Sequence, residues 1–282
     1  MKPDIRRLLL CTNGSPDGLA ALEYGTWLAG LLEAEVELLG IVESRAQAQG
    51  VTEVLDITIG DLERAGLSYR TRILAGRSET IISEQAGNEN LLTVFGALGR
   101  STWSRWIRGR SFRRILAQTP APLLFVGSAN LRLKKMLVCM GGLGYAEEVE
   151  ELSLVLARRV GAAVTVLHVV DSITFDYPVA QEVKDQWQEI LNTDTPQGQN
   201  LRAALERAQS QIAEADFRVR QGPVVREIVS EARDGNYDLV ALGSPYSAQG
   251  LRHYFLPNVT AEVAEAVALP ILSVRHREGA EG

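Results

Sequence analysis

Shifting the chain by 128 positions lays residues 7–44 over residues 135–172 without a gap. The overlay matches Cys11 with Cys139, Gly14 with Gly142, Glu23 with Glu151, Ala34 with Ala162, Val36 with Val164 and Val42 with Val170, and pairs Leu28-Ala29 with Leu156-Ala157. An internal duplication constrains the fold more than any single motif, because both copies must be able to form the same structure. The physical pattern repeats with the letters. Each copy opens on a short apolar run (Leu8 to Cys11; Met136 to Met140), followed by a turn, a helical stretch and a second apolar run (Val36 to Val42; Val164 to Val170). Wholly apolar runs of this length, separated by helix-length segments, read as β-α-β units of a parallel sheet covered on both faces.

The first helix of each copy carries one apolar stripe, Tyr24, Trp27, Leu28 and Leu32 in the first and Leu152, Val155, Leu156 and Val160 in the second. That is helical spacing. Ser15 followed by Pro16 predicts an N-cap and first helical residue. Further on, Leu91 to Gly96 and Tyr237 to Gly243 read as buried strands running into glycine, offset by 147, so the second copy holds 19 extra residues. These fall in 173–198, where Pro178, Pro196 and Gly198 bracket a short helix ending near Leu191, ahead of an amphipathic helix at Leu201, Ala204, Leu205, Ala208 and Ile212. Each copy closes on a Pro-led apolar run, Pro122 to Val126 and Pro270 to Val274, as suits a strand near a sheet edge. The expected architecture is α/β: two tandem open five-stranded parallel sheets with helices on both faces. The domains are 1–130 and 131–282, joined near Ser128 to Lys134.

The fourth strand of the first copy runs into Gly96, Gly99 and, nine residues later, Gly109, ahead of a helical stretch reaching about Gln118. Glycines let a backbone approach a ligand closely, and a helix beginning near Gly109 would offer N–H groups to phosphate. A loop after the carboxyl end of a strand is also where open α/β sheets hold ligands. The plain alternative is that two glycines make a turn and Gly109 caps the helix. Arg100, Arg105, Arg108, Arg110, Arg113 and Arg114 lie within fifteen residues, with Trp103 and Trp106 among them, which favours an anionic partner. Single-stranded nucleic acid is disfavoured, because the net charge is -6 and no general basic footprint accompanies the cluster. A solvated arginine-rich loop stays open as a further alternative.

Composition and spacing exclude several classes. Two cysteines and three scattered histidines make neither a disulfide framework nor a zinc site, so no structural metal is expected. No Gly-Lys-Ser or Gly-Lys-Thr occurs, which rules out a P-loop. The longest uncharged run, 115–131, is broken by two prolines and a glycine and is too short to span a bilayer. The N-terminal segment lacks a signal-peptide pattern, and a cytoplasmic location is expected. His168 on an apolar strand is expected to be a satisfied core histidine, and Cys11 and Cys139 are expected to be buried and inert. No catalytic constellation is visible.

The run Leu9 to Ser15, the helix Ala20 to Tyr24, the strand Gly40 to Val42 (Leu167 to Val170 in the copy) and the glycine motif together resemble the universal stress protein (UspA) superfamily over nearly the whole chain. The resemblance implies strand order 3-2-1-4-5, an ATP site in some members, and an internal pseudo-dimer pairing Pro122 to Val126 with Pro270 to Val274; it leaves a further homodimer open. It places the family's Asp on Asn13, its adenine-contacting Val on Ile41 and its three glycines on Gly96, Gly99 and Gly109. The Ser or Thr after the third glycine falls on Arg110, with Ser111 one place later and Arg100 in the loop. The second domain is degenerate: Gly141 takes the Asp place, Gly243 keeps the first glycine, Tyr246 replaces the second, and Leu256-Pro257 stand near the third. The implied function is a stress-response protein binding ATP, with Mg, or another adenine nucleotide in the first domain as a regulatory ligand. The alternative is an interaction or scaffold module with a lost site. Any enzymatic activity would be at most slow ATP hydrolysis, and the protein partner is not specified.

Overall fold

The computed structural model describes residues 5–87, 90–98, 105–119, 121–128, 130–141, 147–170, 187–244 and 259–275. Two compact units emerge, one of Met1–Arg132 with Ala268–Arg275, the other of Leu133–Val267 with His276–Gly282. In the first unit β1 (Arg7–Thr12), α1 (Leu19–Leu32), β2 (Glu35–Val42), α2 (Ala48–Arg64), β3 (Tyr69–Ala75), α3 (Ser78–Gln85), β4 (Leu91–Phe95), α4 (Arg105–Gln118) and β5 (Leu123–Phe125) alternate strand and helix. The strands lie in the order β3-β2-β1-β4-β5, every pair parallel. The sheet is central because β1 and β4 are apolar along their length: Leu8, Leu9, Leu10, Leu92, Val94 and Phe95 are at most 1% exposed.

The second copy repeats the plan with β6 (Lys135–Cys139), α5 (Glu147–Val160), β7 (Ala163–Val170), a 3-10 segment (Trp187–Asn192), α6 (Pro196–Gln211), β8 (Ala215–Gln221), α7 (Val224–Asp234), β9 (Leu239–Ser244) and α8 (Val259–Ala266). Its strands β8-β7-β6-β9 are again parallel. The final strand β10 (Ile271–Arg275) groups with the first unit, antiparallel to β5, with Ile271 opposite Phe125 and Ser273 opposite Leu123. The apolar stripes of the two first helices face inward as their spacing requires: Tyr24, Leu28 and Leu32, like Leu152 and Leu156, are buried.

Local chemistry shifts two expected boundaries. Ser15 makes no side-chain cap; Pro16–Gly18 forms a 3-10 turn, α1 starts only at Leu19, and the Ser15 hydroxyl donates to the Ala97 carbonyl at 3.4 Å. The short helix expected to end near Leu191 is the 3-10 segment Trp187–Asn192, while Pro196 and Gly198 sit in the first turn of α6, which opens five residues before Leu201. Thr195 is its N-cap, the hydroxyl accepting the Gly198 N–H at 3.1 Å. Gly198 is glycine because a Cβ would stand 2.6 Å from the Ile190 carbonyl oxygen.

A buried carboxylate ties the edge strand of the second unit to its helix. Glu231 on α7 accepts the Tyr237 hydroxyl at 2.9 Å, Arg218 at 3.1 Å and Arg220 Nε at 2.7 Å. Burial pushes this carboxyl up, but hydrogen bonds from Arg220 and Tyr237 and the charges of Arg218 and Arg220 outweigh it and hold it below its ordinary value. On the facing helices, Glu150 of α5, 1% exposed, takes a bidentate pair from Arg207 of α6 at 2.9 and 2.7 Å.

Candidate functional site

The order β3-β2-β1-β4-β5 reverses between β1 and β4, and these two strands are in register up to Cys11 beside Phe95. The loops leaving their carboxyl ends, Thr12 to Ser15 and Gly96 to Leu98, are therefore neighbours at the switch point, the place where open α/β sheets bind ligands. The first loop is a self-bonded polar turn. Thr12 Oγ1 accepts the Gly14 N–H at 3.1 Å, and Asn13 Oδ1 accepts the Ser15 N–H at 3.2 Å. Gly14 has φ +76, and a Cβ there would lie 2.5 Å from the Val51 nitrogen, so the start of α2 closes directly on this turn.

Asn13 is the chemically distinctive residue. It is 2% exposed; its oxygen is used by Ser15, which fixes the amide orientation, and its Nδ2 has no hydrogen-bond partner. Leaving such a donor unmade is costly.

The remaining expected site residues distribute differently. Ile41 lies on β2 with its side chain fully covered, level with Leu74 of β3. Gly96 is needed for packing: a Cβ would meet Ala21 Cβ at 3.1 Å, Gly18 Cα at 3.2 Å and the Val126 oxygen at 3.2 Å. Gly109 does not open the helix. Since α4 runs from Arg105, Gly109 is its fifth residue, where an N–H bonds back along the helix instead of pointing at a ligand. Arg110 is also within α4; its side chain, like those of the helix residues before it, lies outside the described set. Gly99 and Arg100 lie outside the described residues, as do Tyr246, Leu256 and Pro257 of the second copy.

Ser111 is committed elsewhere. Its hydroxyl donates to Glu79 Oε1 of α3 at 2.7 Å, with Ser111 8% and Glu79 3% exposed. The adjacent α3 N-terminus is closed by a second carboxylate, Glu43 Oε1 accepting the Ser78 N–H at 2.8 Å. Neither glutamate stands out in the sequence: each belongs to a contact between residues more than thirty positions apart, which no local pattern encodes.

In the second unit His168 is 2% exposed, with Nδ1 2.8 Å from the Met140 carbonyl and Nε2 3.1 Å from Gln197 Nε2. Nδ1 therefore carries the proton and Nε2 accepts from Gln197, and burial holds the imidazole below its ordinary pKa. Cys11 is buried and Cys139 partly exposed, and burial pushes both thiols far above the usual range, so they are poor nucleophiles. Among the described residues no group of three or more His, Cys, Asp or Glu could hold a metal ion, and no helix is long and apolar enough to cross a membrane. A cavity of about 150 Å³ lined by Arg7, Glu35, Glu37, Tyr69 and Arg70 sits at the opposite, amino-terminal edge of β1 to β3, away from the switch point.

A duplicated, Rossmann-like α/β sheet with a polar turn at its switch point defines the class as doubly wound α/β, and the sequence carries no P-loop. The model of the universal stress protein family matches residues 4–127 and again 132–275, so the chain belongs to that family as a tandem member. A universal stress protein of Synechocystis sp. is 24% identical over 309 residues, covering 96% of this chain and all of that protein. In fold, the chain is similar to a universal stress protein from Archaeoglobus fulgidus (TM-score 0.71, 16% identity, 97% of this chain and 99% of that one). A putative universal stress protein from Pseudomonas aeruginosa is similar at TM-score 0.67 and 17% identity, over 96% and 93% of the two chains.

Proposed function

We propose that this tandem universal stress protein acts in the stress response by holding an adenine nucleotide, ATP or a close relative, in its first unit as a regulatory ligand. The observation that carries the reading is the orphaned Asn13 Nδ2, buried where the β1 and β4 loops meet. An adenine ring nitrogen or a ribose oxygen is the acceptor this donor lacks. The residues fit the nucleoside end of such a ligand. They fit its phosphate end less well, since Ser111 is bound to Glu79 and Gly109 lies inside α4. The arginines of this stretch of sequence, Arg100, Arg105, Arg108 and Arg110, are our candidates for the positive charge, with Mg carried in on ATP. Because Asn13 is 2% exposed, a ligand reaches it only by displacing neighbouring chain. Binding would thus favour one arrangement of the loops over another, which a regulatory ligand must do.

The Ser111–Glu79 bond favours a second reading, an interaction module whose nucleotide site has been lost. Isothermal titration of the nucleotide-free protein with AMP and with Mg-ATP separates the two. The nucleotide reading expects one site per chain with at least one of these ligands, weakened about tenfold or more by Asn13→Leu. No heat at several temperatures and no rise in Tm with either ligand supports the interaction module.

A further inference from the structure

β3 is the outermost strand of the first unit's sheet and pairs only with β2. The Val36 N–H bonds the Ser68 carbonyl at one end of the pair, and the Gly76 N–H bonds the Val42 carbonyl at the other. Between these ends the alternation of a parallel ladder turns the N–H and C=O of Arg70, Arg72 and Leu74 toward β2 and those of Tyr69, Thr71, Ile73 and Ala75 outward. Seven residues without a proline thus present an unfilled edge, and Arg70 to Ile73 are all exposed, Ile73 by 53%. Arg70 and Arg72 share one face of the strand, Thr71 and Ile73 the other. Glu37, opposite Arg70 in register, is paired instead with Arg72, and Arg7 lies level with Glu35. Arg70 is therefore the charge left over, and its guanidinium has no hydrogen bond or ion pair among the described residues. The duplicate strand β8 is built differently. Val36 and Val164 correspond and lie level with Tyr69 and Ala215, so Arg70 answers to Asp216 and Arg72 to Arg218. Both arginines of β8, Arg218 and Arg220, are held by the buried Glu231. We propose that the β3 edge is a docking strand for an extended acidic segment of a partner protein, one in which carboxylates alternate with apolar residues. The backbone of that segment would complete the ladder at Thr71 and Ile73, its carboxylates would meet Arg70 and the exposed part of Arg72, and its apolar side chains would lie beside Ile73. A second copy of the chain is a poor occupant, because antiparallel pairing of β3 with itself at full overlap sets Arg72 across from Arg72.

The test follows the backbone amides of the labelled full chain by nuclear magnetic resonance while the synthetic peptide acetyl-Val-Glu-Val-Glu-Val-Glu-Val-amide is added, with lysine in place of every glutamate as the control. The expected result is saturable binding that slows hydrogen exchange at Tyr69, Thr71 and Ile73 by about tenfold or more and leaves β8 unchanged. The lysine peptide should bind this edge at least about tenfold more weakly, and Arg70→Glu should weaken the acidic peptide by about tenfold. Thr71→Pro should abolish binding, since the Thr71 N–H faces outward, the setting in which an edge strand accepts proline. The acidic peptide N-methylated along its backbone should fail to bind the parent chain, a check that holds whether or not the proline variant folds. Absence of saturable binding, equal affinity for the two peptides, an unaffected Arg70→Glu, protection that falls elsewhere than on Tyr69, Thr71 and Ile73, or retained binding of the N-methylated peptide each overturns the proposal. So does a concentration-dependent dimer that protects the same three amides, which would make a second copy the occupant.

Discussion

Replacing Gly14 by alanine tests whether the turn after β1 is held as tightly as its geometry requires. Two penalties add. At φ +76 the residue is in the left-handed region, where a Cβ costs roughly 1–2 kcal/mol. The new methyl would also stand 2.5 Å from the Val51 nitrogen and 2.7 Å from the Gly50 carbonyl carbon. These are backbone atoms that cannot rotate aside, and such overpacking costs roughly 1–3 kcal/mol more. The total, roughly 2–5 kcal/mol, should lower the urea midpoint of the first unit by roughly 1 M or more at an ordinary slope. Gly60→Ala is the matched control. Gly60 lies in the interior of α2 with nothing within 4 Å of its would-be Cβ, so alanine should stabilise by roughly 0.5–1 kcal/mol. The assay is urea unfolding of both variants followed by circular dichroism. If Gly14→Ala unfolds within about 0.5 kcal/mol of the parent, α2 moves off the turn freely and the argument from close approach is wrong.

Three further outcomes follow from the buried polar groups. Glu231→Gln should destabilise by roughly 2–3 kcal/mol, toward the low end for a buried pair because Arg218 is 47% exposed. Since the folded-state pKa of Glu231 lies below 4.5, its contribution is present above that pH and lost as pH falls, so acid unfolding of the variant should be less steep. His168 has a folded-state pKa below 6.5, so the unfolded chain takes the proton first, and stability should fall as pH drops from about 6.5, by up to about 1.4 kcal/mol per pH unit. A His168→Gln variant should show a flatter pH–Tm profile between pH 7 and 5; an equal slope in parent and variant would show that the imidazole is not the titrating group. Cys11, buried and with its thiol pushed up by burial, should react with a thiol reagent only as fast as the protein unfolds, and fast labelling of Cys11 under native conditions would contradict this.

The strands that could be read from the sequence are those buried on both faces, since Leu8 to Cys11, Val36 to Val42 and their copies can be little else. The third strand of each copy escaped, because an edge strand carries a different signal. β3 places Arg70, Thr71 and Arg72 in solvent, and β8 is built around Arg218 and Arg220, so neither shows an apolar run. Pro196 and Gly198 were legible as punctuation but not as the first turn of α6, because what requires glycine there is contact with Ile190 and Thr193. At the site, the turn bearing Asn13 is written locally in Asn-Gly-Ser. The purposes of Gly96 and Ser111 are not: the first depends on how closely α1 and β5 approach, the second on a carboxylate 32 residues away in another helix.

The central claim is that Asn13 Nδ2 donates to an adenine ligand. The most direct measurement is its side-chain amide resonance pair, assigned by its absence in Asn13→Ser and followed while AMP is added to labelled protein. The account predicts that this pair shifts and saturates at one AMP per chain, with protection from hydrogen exchange rising in residues 12–15 and 96–98. AMP that binds, as read by heat, while leaving the Asn13 amide unmoved would contradict it.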